Sequence, residues 1–243
     1  MLKNITKLLL LPGIILFAIL NVSAFQTERK TPLEWAQLLV KNIKPENTDY
    51  LHKKGSVKWA GVDGADGYES HTDCSGLLNA LLERSYGLKT ADFEQWVEVR
   101  RPLAITYFDA IESKNRFVPI ERISDVRPGD IIAIKYPPDA DNSGHVMIVS
   151  EKPQRRTKDT EPIVPETEQW EIAVIDSSES GHGKTDTRRR ADGSFGQGVG
   201  KGIFRLYCDR QGRFTGYSWS KFLNSEYHDQ NDRPLAIGRL HLR

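Results

Sequence analysis

Cys74 stands in the run YESHTDCSGLLNALLERSYG, residues 68–87, where a polar, glycine-bearing segment gives way to an apolar pattern. Leu77, Leu78, Leu81 and Leu82 fall at i, i+1, i+4 and i+5, one face of a helix that Gly87 ends. The mouth of that helix therefore lies at Asp73, Cys74 and Ser75. A helix N-terminus presents unpaired N–H groups and the positive end of its peptide dipoles, which favour a thiolate over a thiol. Ser75 and Gly76 keep the first turn uncrowded, so a carbonyl could approach the sulfur and a backbone amide could receive the developing oxyanion. A thiol nucleophile also needs a base. Of the six histidines, His145 has a distinctive setting, NSGHVMIVSE, at the start of an apolar strand directly after a glycine. The following strand, WEIAVIDSS, ends near Asp176. Sequential strands usually pair, so this carboxylate can reach the imidazole and fix its tautomer.

Other chemistry is less well supplied. His182, in ESGHGK, is a second choice for the orienting position, and His71 is too close in sequence to Cys74 to face it from an opposite wall. No histidines or cysteines have metal-ligand spacing and no phosphate loop or G-x-G-x-x-G is present, so neither a metal nor a cofactor is expected.

The two cysteines also admit a plainer reading. The opening MLKNITKLLLLPGIILFAILNVSAFQ has two lysines, an apolar run from Leu8 to Leu20 and a small-residue site at Val22, Ser23 and Ala24, the pattern of a leader cleaved after Ala24. Export to a periplasmic or extracellular space follows, with no stable membrane span after cleavage. In an oxidising compartment a Cys74–Cys208 disulfide is the simplest expectation, and closing so long a loop stabilises a fold by about 4 kcal/mol in the chain-entropy picture. Once Lys3 and Lys7 leave with residues 1–24, the 34 basic and 33 acidic residues become 32 and 33. That neutral balance gives no reason to expect nucleic acid as a partner.

The elements that must hold these groups are legible in outline. Thr31, Pro32 and Glu34 open a helix over about 33–43 with a capping box, and further helices are expected at 91–99 and 103–114. From RPGDIIAIKY onward the chain reads as β-branched and aromatic strands separated by turn residues, with the polar stretch 152–169 as an exposed hairpin extension. Helices first and strands afterwards make an α+β domain over residues 25–243, built on a mostly antiparallel sheet.

In order, DCSGLLNALL, RPGDIIAI, GHVMIVS and VIDSS resemble the NlpC-like cysteine peptidases of bacterial cell walls, which have a permuted papain-like fold. The resemblance covers about 56–178. It implies Cys74 as nucleophile, His145 as base and then acid, and Asp176 as the orienting residue, a position more often histidine in that family. It also implies a substrate side: VKWAG, with Trp59 and Gly61, stands where the family has an aromatic segment, and Tyr68 is the candidate for a tyrosine hydroxyl near the oxyanion. Asp73 and Ser75 flank the sulfur. If Cys74 is the nucleophile it must be free, and Cys208 becomes a small buried residue. Arg188 and Arg189, with Lys184 and Arg190 in the same glycine-rich loop, are candidates for attracting the carboxylates of peptidoglycan stem peptides. The leading expectation is an exported peptidase or amidase of peptidoglycan. The alternatives are an acyltransferase with the same triad and a non-catalytic periplasmic binding module with a Cys74–Cys208 disulfide.

Overall fold

A computed structural model describes residues 29–52 and 55–242; the expected leader, residues 1–24, lies outside them. Helix α1 (Pro32–Asn42) begins as its sequence requires: the Glu34 N–H donates to Thr31 Oγ1 at 3.2 Å and the Thr31 N–H to Glu34 Oε2 at 2.7 Å. Strands β1 (Thr48–Asp49), β2 (Ser56–Lys58) and β3 (Glu69–His71) form a small sheet in the order β1-β3-β2, with β1 and β3 parallel. Helix α2 (Cys74–Tyr86) follows, and Gly87 ends it in the left-handed region at φ 72°. Helices α3 (Thr90–Val97) and α4 (Ala104–Glu112) complete the helical half.

The second half is a large sheet of β4 (Phe117–Ile120), β5 (Ile131–Lys135), β6 (Gly144–Val149), β7 (Gln154–Arg155), β8 (Glu168–Ser178), β9 (Gly198–Cys208), β10 (Phe214–Ser218), β11 (Tyr227–Asp229) and β12 (Leu235–Leu240). Its order is β11-β10-β9-β8-β6-β5-β12-β4, with β7 against β8, and every pairing is antiparallel. The chain is therefore α+β with a mostly antiparallel sheet. Both faces of the central strands are covered, which is why GHVMIV and IAVI read as unbroken apolar runs rather than alternating ones. Val146, Ile148 and Ile175 join the helices in one core, while Met147, Val149, Ile172 and Val174 join Phe204, Leu206 and Tyr217 in a second.

That division overturns the disulfide. Cys74 belongs to the helix-side core and Cys208, at the far end of β9 opposite Glu168, to the other; both are free and buried. Burial pushes the Cys208 thiol up to about 12, the behaviour of an inert core residue.

Gly144 sets the start of β6. Its φ is +143°, and a Cβ there would lie 1.9 Å from the carbonyl oxygen of Ile134 on β5. The next residue is His145, so this close approach fixes where the imidazole leaves the sheet. Gly144→Ala should destabilise the protein by about 1–3 kcal/mol, as overpacking does, read as a lower urea midpoint at unchanged slope. An unchanged midpoint would show that the strand entry yields at no cost.

Candidate active site

Asp73 builds the mouth of α2. Its Oδ1 accepts from the Gly76 N–H at 2.7 Å and from Ser75 Oγ at 3.0 Å, a side-chain N-cap that starts the helix at Cys74. Its Oδ2 meets Arg101 Nη2 at 2.7 Å, so the cap carboxylate is already paired. The loop ahead of the helix is tied to the sheet where Ser177 Oγ donates to the Thr72 carbonyl at 2.6 Å. Ser177 follows Asp176 on β8, so this single bond registers the cysteine's helix against the acid's strand.

Among the described residues the sheet then brings three groups together. The Cys74 sulfur interacts directly with the His145 ring. On its other side, His145 Nε2 lies 2.7 Å from Asp176 Oδ2. Strands β6 and β8 are neighbours, with Ile148 opposite Ile175, and His145 and Asp176 share the strand faces of Met147 and Val174. Since the carboxylate accepts, Nε2 carries a proton and Nδ1 is the nitrogen left to face the sulfur.

The electrostatics follow from burial opposed by charge. Burial alone would lower the His145 pKa, but the negative charge on Cys74 and the Asp176 hydrogen bond outweigh it and raise it to about 10. Burial works against the Asp176 carboxylate as well. Arg188, His182 and the hydrogen bond from His145 nonetheless hold it well below the usual carboxylate range. Tyr50, just after β1, hydrogen-bonds Cys74, and burial followed by the charges of Cys74 and Asp73 raises its phenol. Its position is set from both sides: β1 pairs with β3, and Thr48 Oγ1 accepts from the Val199 N–H on β9 at 2.9 Å.

The cleft has two compartments that share Tyr50, His52, Asn142 and Gly144. One, of about 370 Å³, contains Cys74, Asp73, Ser75, Arg101 and Asp141. The other, of about 250 Å³, contains His145, Tyr136, Glu179, Tyr217, Trp219 and Arg233. Burial and the charge on Cys74 push the Tyr136 phenol up to about 12 against the opposing charge of Arg233. A larger recess of about 420 Å³ lies between residues 57 and 69, but it holds no nucleophile.

Asp73 and Ser75 line the cleft; Trp59 and Tyr68 do not. Trp59 is a core residue whose Nε1 donates to the Trp35 carbonyl at 3.0 Å, and Tyr68 packs on the helix-side core. The tyrosine at the sulfur is Tyr50. Arg188 is buried between Asp176 at 3.0 Å and Asp186 at 2.8 Å, and serves the acid instead of a substrate. Arg189 and Arg190 border a separate groove of about 150 Å³ beside Val40 and Ile43, and Lys184 is exposed. His71 pairs with Asp49 at 2.8 Å on the small sheet. Tyr50, Arg101, Trp219 and Arg233 went unread because each sits in an irregular stretch, or at a strand end, with no neighbouring motif.

Over 217 residues the chain is 38% identical to a protein of Acanthamoeba polyphaga mimivirus described as uncharacterized protein R653, covering 86% of this chain and 95% of that one. No family model matches the chain. No solved structure matches it either. Among the described residues no helix is long and apolar enough to cross a membrane, and no group of three or more His, Cys, Asp or Glu is placed to hold a metal ion.

Two stability measurements follow. Asp176→Asn removes the carboxylate that His145 and His182 share, leaving Arg188 only Asp186, and should cost about 3–5 kcal/mol, the range for breaking a buried pair from one side. For pH the signs are opposite at the two ends. His145 is raised above its unfolded value of about 6.5, so its contribution is complete below that pH and is lost as pH rises through about 10. Asp176 is lowered, so its contribution is present above about 3.9 and is lost only in stronger acid. The unfolding free energy should therefore fall more steeply from pH 7 to 10 in the wild type than in His145→Gln. Parallel slopes would contradict the ion pair.

Proposed function

The chain belongs to one family with the mimivirus protein R653, and on the chemistry of its cleft we propose that it is a cysteine peptidase or amidase working through a thioester on Cys74. The observation that carries this reading is the convergence of Cys74 and His145 onto one open cleft, with an ionised Asp176 buried behind the imidazole, from three separate elements. A core histidine that merely satisfied its hydrogen bonds would need neither the sulfur nor the solvent-reachable space beside it.

The reaction uses groups already in place. His145 Nδ1 holds the proton that Cys74 has given up, and the thiolate attacks the substrate carbonyl carbon to give a tetrahedral oxyanion. The first-turn N–H groups of α2 and the Tyr50 hydroxyl are the donors on that side. His145 then passes its proton to the leaving amine as the C–N bond breaks, which leaves the acyl group on sulfur. Water, deprotonated by the same nitrogen, attacks the thioester and releases the acid and the free thiol. Throughout, the Nε2–H remains on Asp176, which keeps Nδ1 aimed at the sulfur.

The sulfur at the mouth of α2, with its histidine and acid on adjacent antiparallel strands, supports the NlpC-like, papain-like assignment. Peptidoglycan stem peptides in a periplasmic or extracellular setting are the proposed substrate. Arg233 favours such anionic peptides: its guanidinium lies 5.2 Å over the Tyr136 ring in the cleft, with no carboxylate within ion-pair distance among the described residues. The paired Asp73 and Arg101 line the opposite compartment.

Purified cell-wall fragments incubated with the wild type should yield products cleaved at an amide bond, identified by mass, and Cys74→Ala should slow this by about 10⁴-fold or more. An amine acceptor added to the same reaction separates hydrolysis from acyl transfer by product mass. Arg233→Ala should raise KM with kcat nearly unchanged, as loss of uniform binding does. Identical product profiles for the wild type and Cys74→Ala would reject the peptidoglycan reading.

A further inference from the structure

Asp176 receives two histidines on one oxygen. His145 Nε2 lies 2.7 Å and His182 Nε2 2.9 Å from Oδ2, and the reaction above employs only the first. His182 is 0% exposed, so it touches no substrate. Its second nitrogen, Nδ1, lies 2.7 Å from the Trp219 carbonyl. Both of its partners accept, so the ring satisfies them together only by donating from both nitrogens. The positive charge on His182 is among those that lower the Asp176 pKa.

Resting on the cysteine-hydrolase reading, we propose that His182 is a positioning residue for that reaction, locking the acid of the triad and the tryptophan wall of the cleft into one register. Trp219 is the link that a purely structural histidine would not need. Its ring meets His145 edge-on at 4.7 Å and lies 4.4 Å from His182, while its carbonyl is held by His182. His145 is thereby fixed on two sides, by a carboxylate and by an indole, and both are held through the same ring.

The surrounding charges make this junction stiff. The His182 N–H donates to Asp186 Oδ2 at 2.8 Å, and Arg188 bridges Asp186 back to Asp176. The groups facing Asp176 are thus His145 from β6 and His182 and Arg188 from the loop after β8. Those facing Cys74 are His145, Tyr50, Tyr136 and Asp73. The sequence GVGKG of β9 belongs to the same device. Gly200 pairs with Asp176, and a Cβ there would lie 2.5 Å from Arg188 Nε; one at Gly202 would lie 2.3 Å from Asp186 Oδ2 and 2.7 Å from His182 Cβ. Glycines two residues apart clear one strand face for a buried layer of charge.

The test is the rate of Cys74 alkylation by iodoacetamide from pH 5 to 10, with the Cys74 peptide quantified by mass, which requires no substrate. Wild-type Cys74 should react faster at pH 6–7 than an ordinary thiol, as a sulfur beside an imidazole at a helix mouth does. His182→Phe keeps an aromatic plane and removes both donors. It should slow alkylation at pH 6–7 by about tenfold. His182→Gln, with one donor kept, should fall between. On a cleaved substrate, kcat should fall by about tenfold in His182→Phe with KM within about twofold. A His182→Phe profile and kcat within twofold of the wild type overturn the proposal. Should that variant not melt cooperatively, His182→Gln decides, with a threefold slowing supporting the proposal and none rejecting it. Wild-type Cys74 no faster at pH 6–7 than an ordinary thiol would instead reject the functional reading itself.

Discussion

The site depends on keeping one carboxylate ionised inside the protein. Moving such a group out of water costs several kcal/mol even after relaxation, and only close opposite charge and donated hydrogen bonds offset it. At Asp176 the offset comes from His145, His182 and Arg188, each on a different stretch of chain or a different side of the group. Asp186 in turn balances Arg188, so the cluster is closed in charge as well as in geometry. Folding must bring β6, β8, β9 and the 179–197 loop together before the carboxylate is tolerable. The active geometry is thus coupled to the central part of the sheet.

From that anchor the position of Cys74 follows in a few contacts. Asp176 fixes the His145 ring, the ring interacts directly with Cys74, and Ser177 holds the loop that leads into α2. The Asp73 cap and its Arg101 partner set where the first turn begins. Leu77, Leu78, Leu81 and Leu82 then bury the helix against the sheet, giving the sulfur a rigid mount. Tyr50 enters from the small parallel pair β1–β3, which carries residues well ahead of α2 to the sulfur.

Much of this was legible in the sequence because it rests on local signals. The period of four leucines placed α2, the capping box placed α1, and glycine followed by an apolar run placed His145 at a strand entry. The reach of Asp176 to His145 followed from neighbouring strands. What the sequence hid were relations set by long-range packing. Tyr50 is 24 residues before Cys74 in an unpatterned stretch, and Tyr68, nearer in sequence, folds onto the core instead. Arg188 looked like part of a solvated arginine run; only the coordinates show it turned inward while Arg189 and Arg190 remain outside. Two cysteines in a chain read as exported suggested a bond, yet the sheet holds them in different cores. His182 ranked only second to Asp176 for the orienting position because it lies in a glycine-rich loop where nothing in its neighbours announces burial.

The central claim is that folding creates a charged sulfur and imidazole pair, Cys74 with His145, ready to react before substrate arrives. Nitrogen NMR of the histidine rings at pH 8 reads this directly. In the unliganded protein both ring nitrogens of His145 should be protonated, and in Cys74→Ala one of them should lose its proton at the same pH. A neutral His145 ring in the wild type at pH 8, unchanged by removal of the sulfur, would contradict the claim.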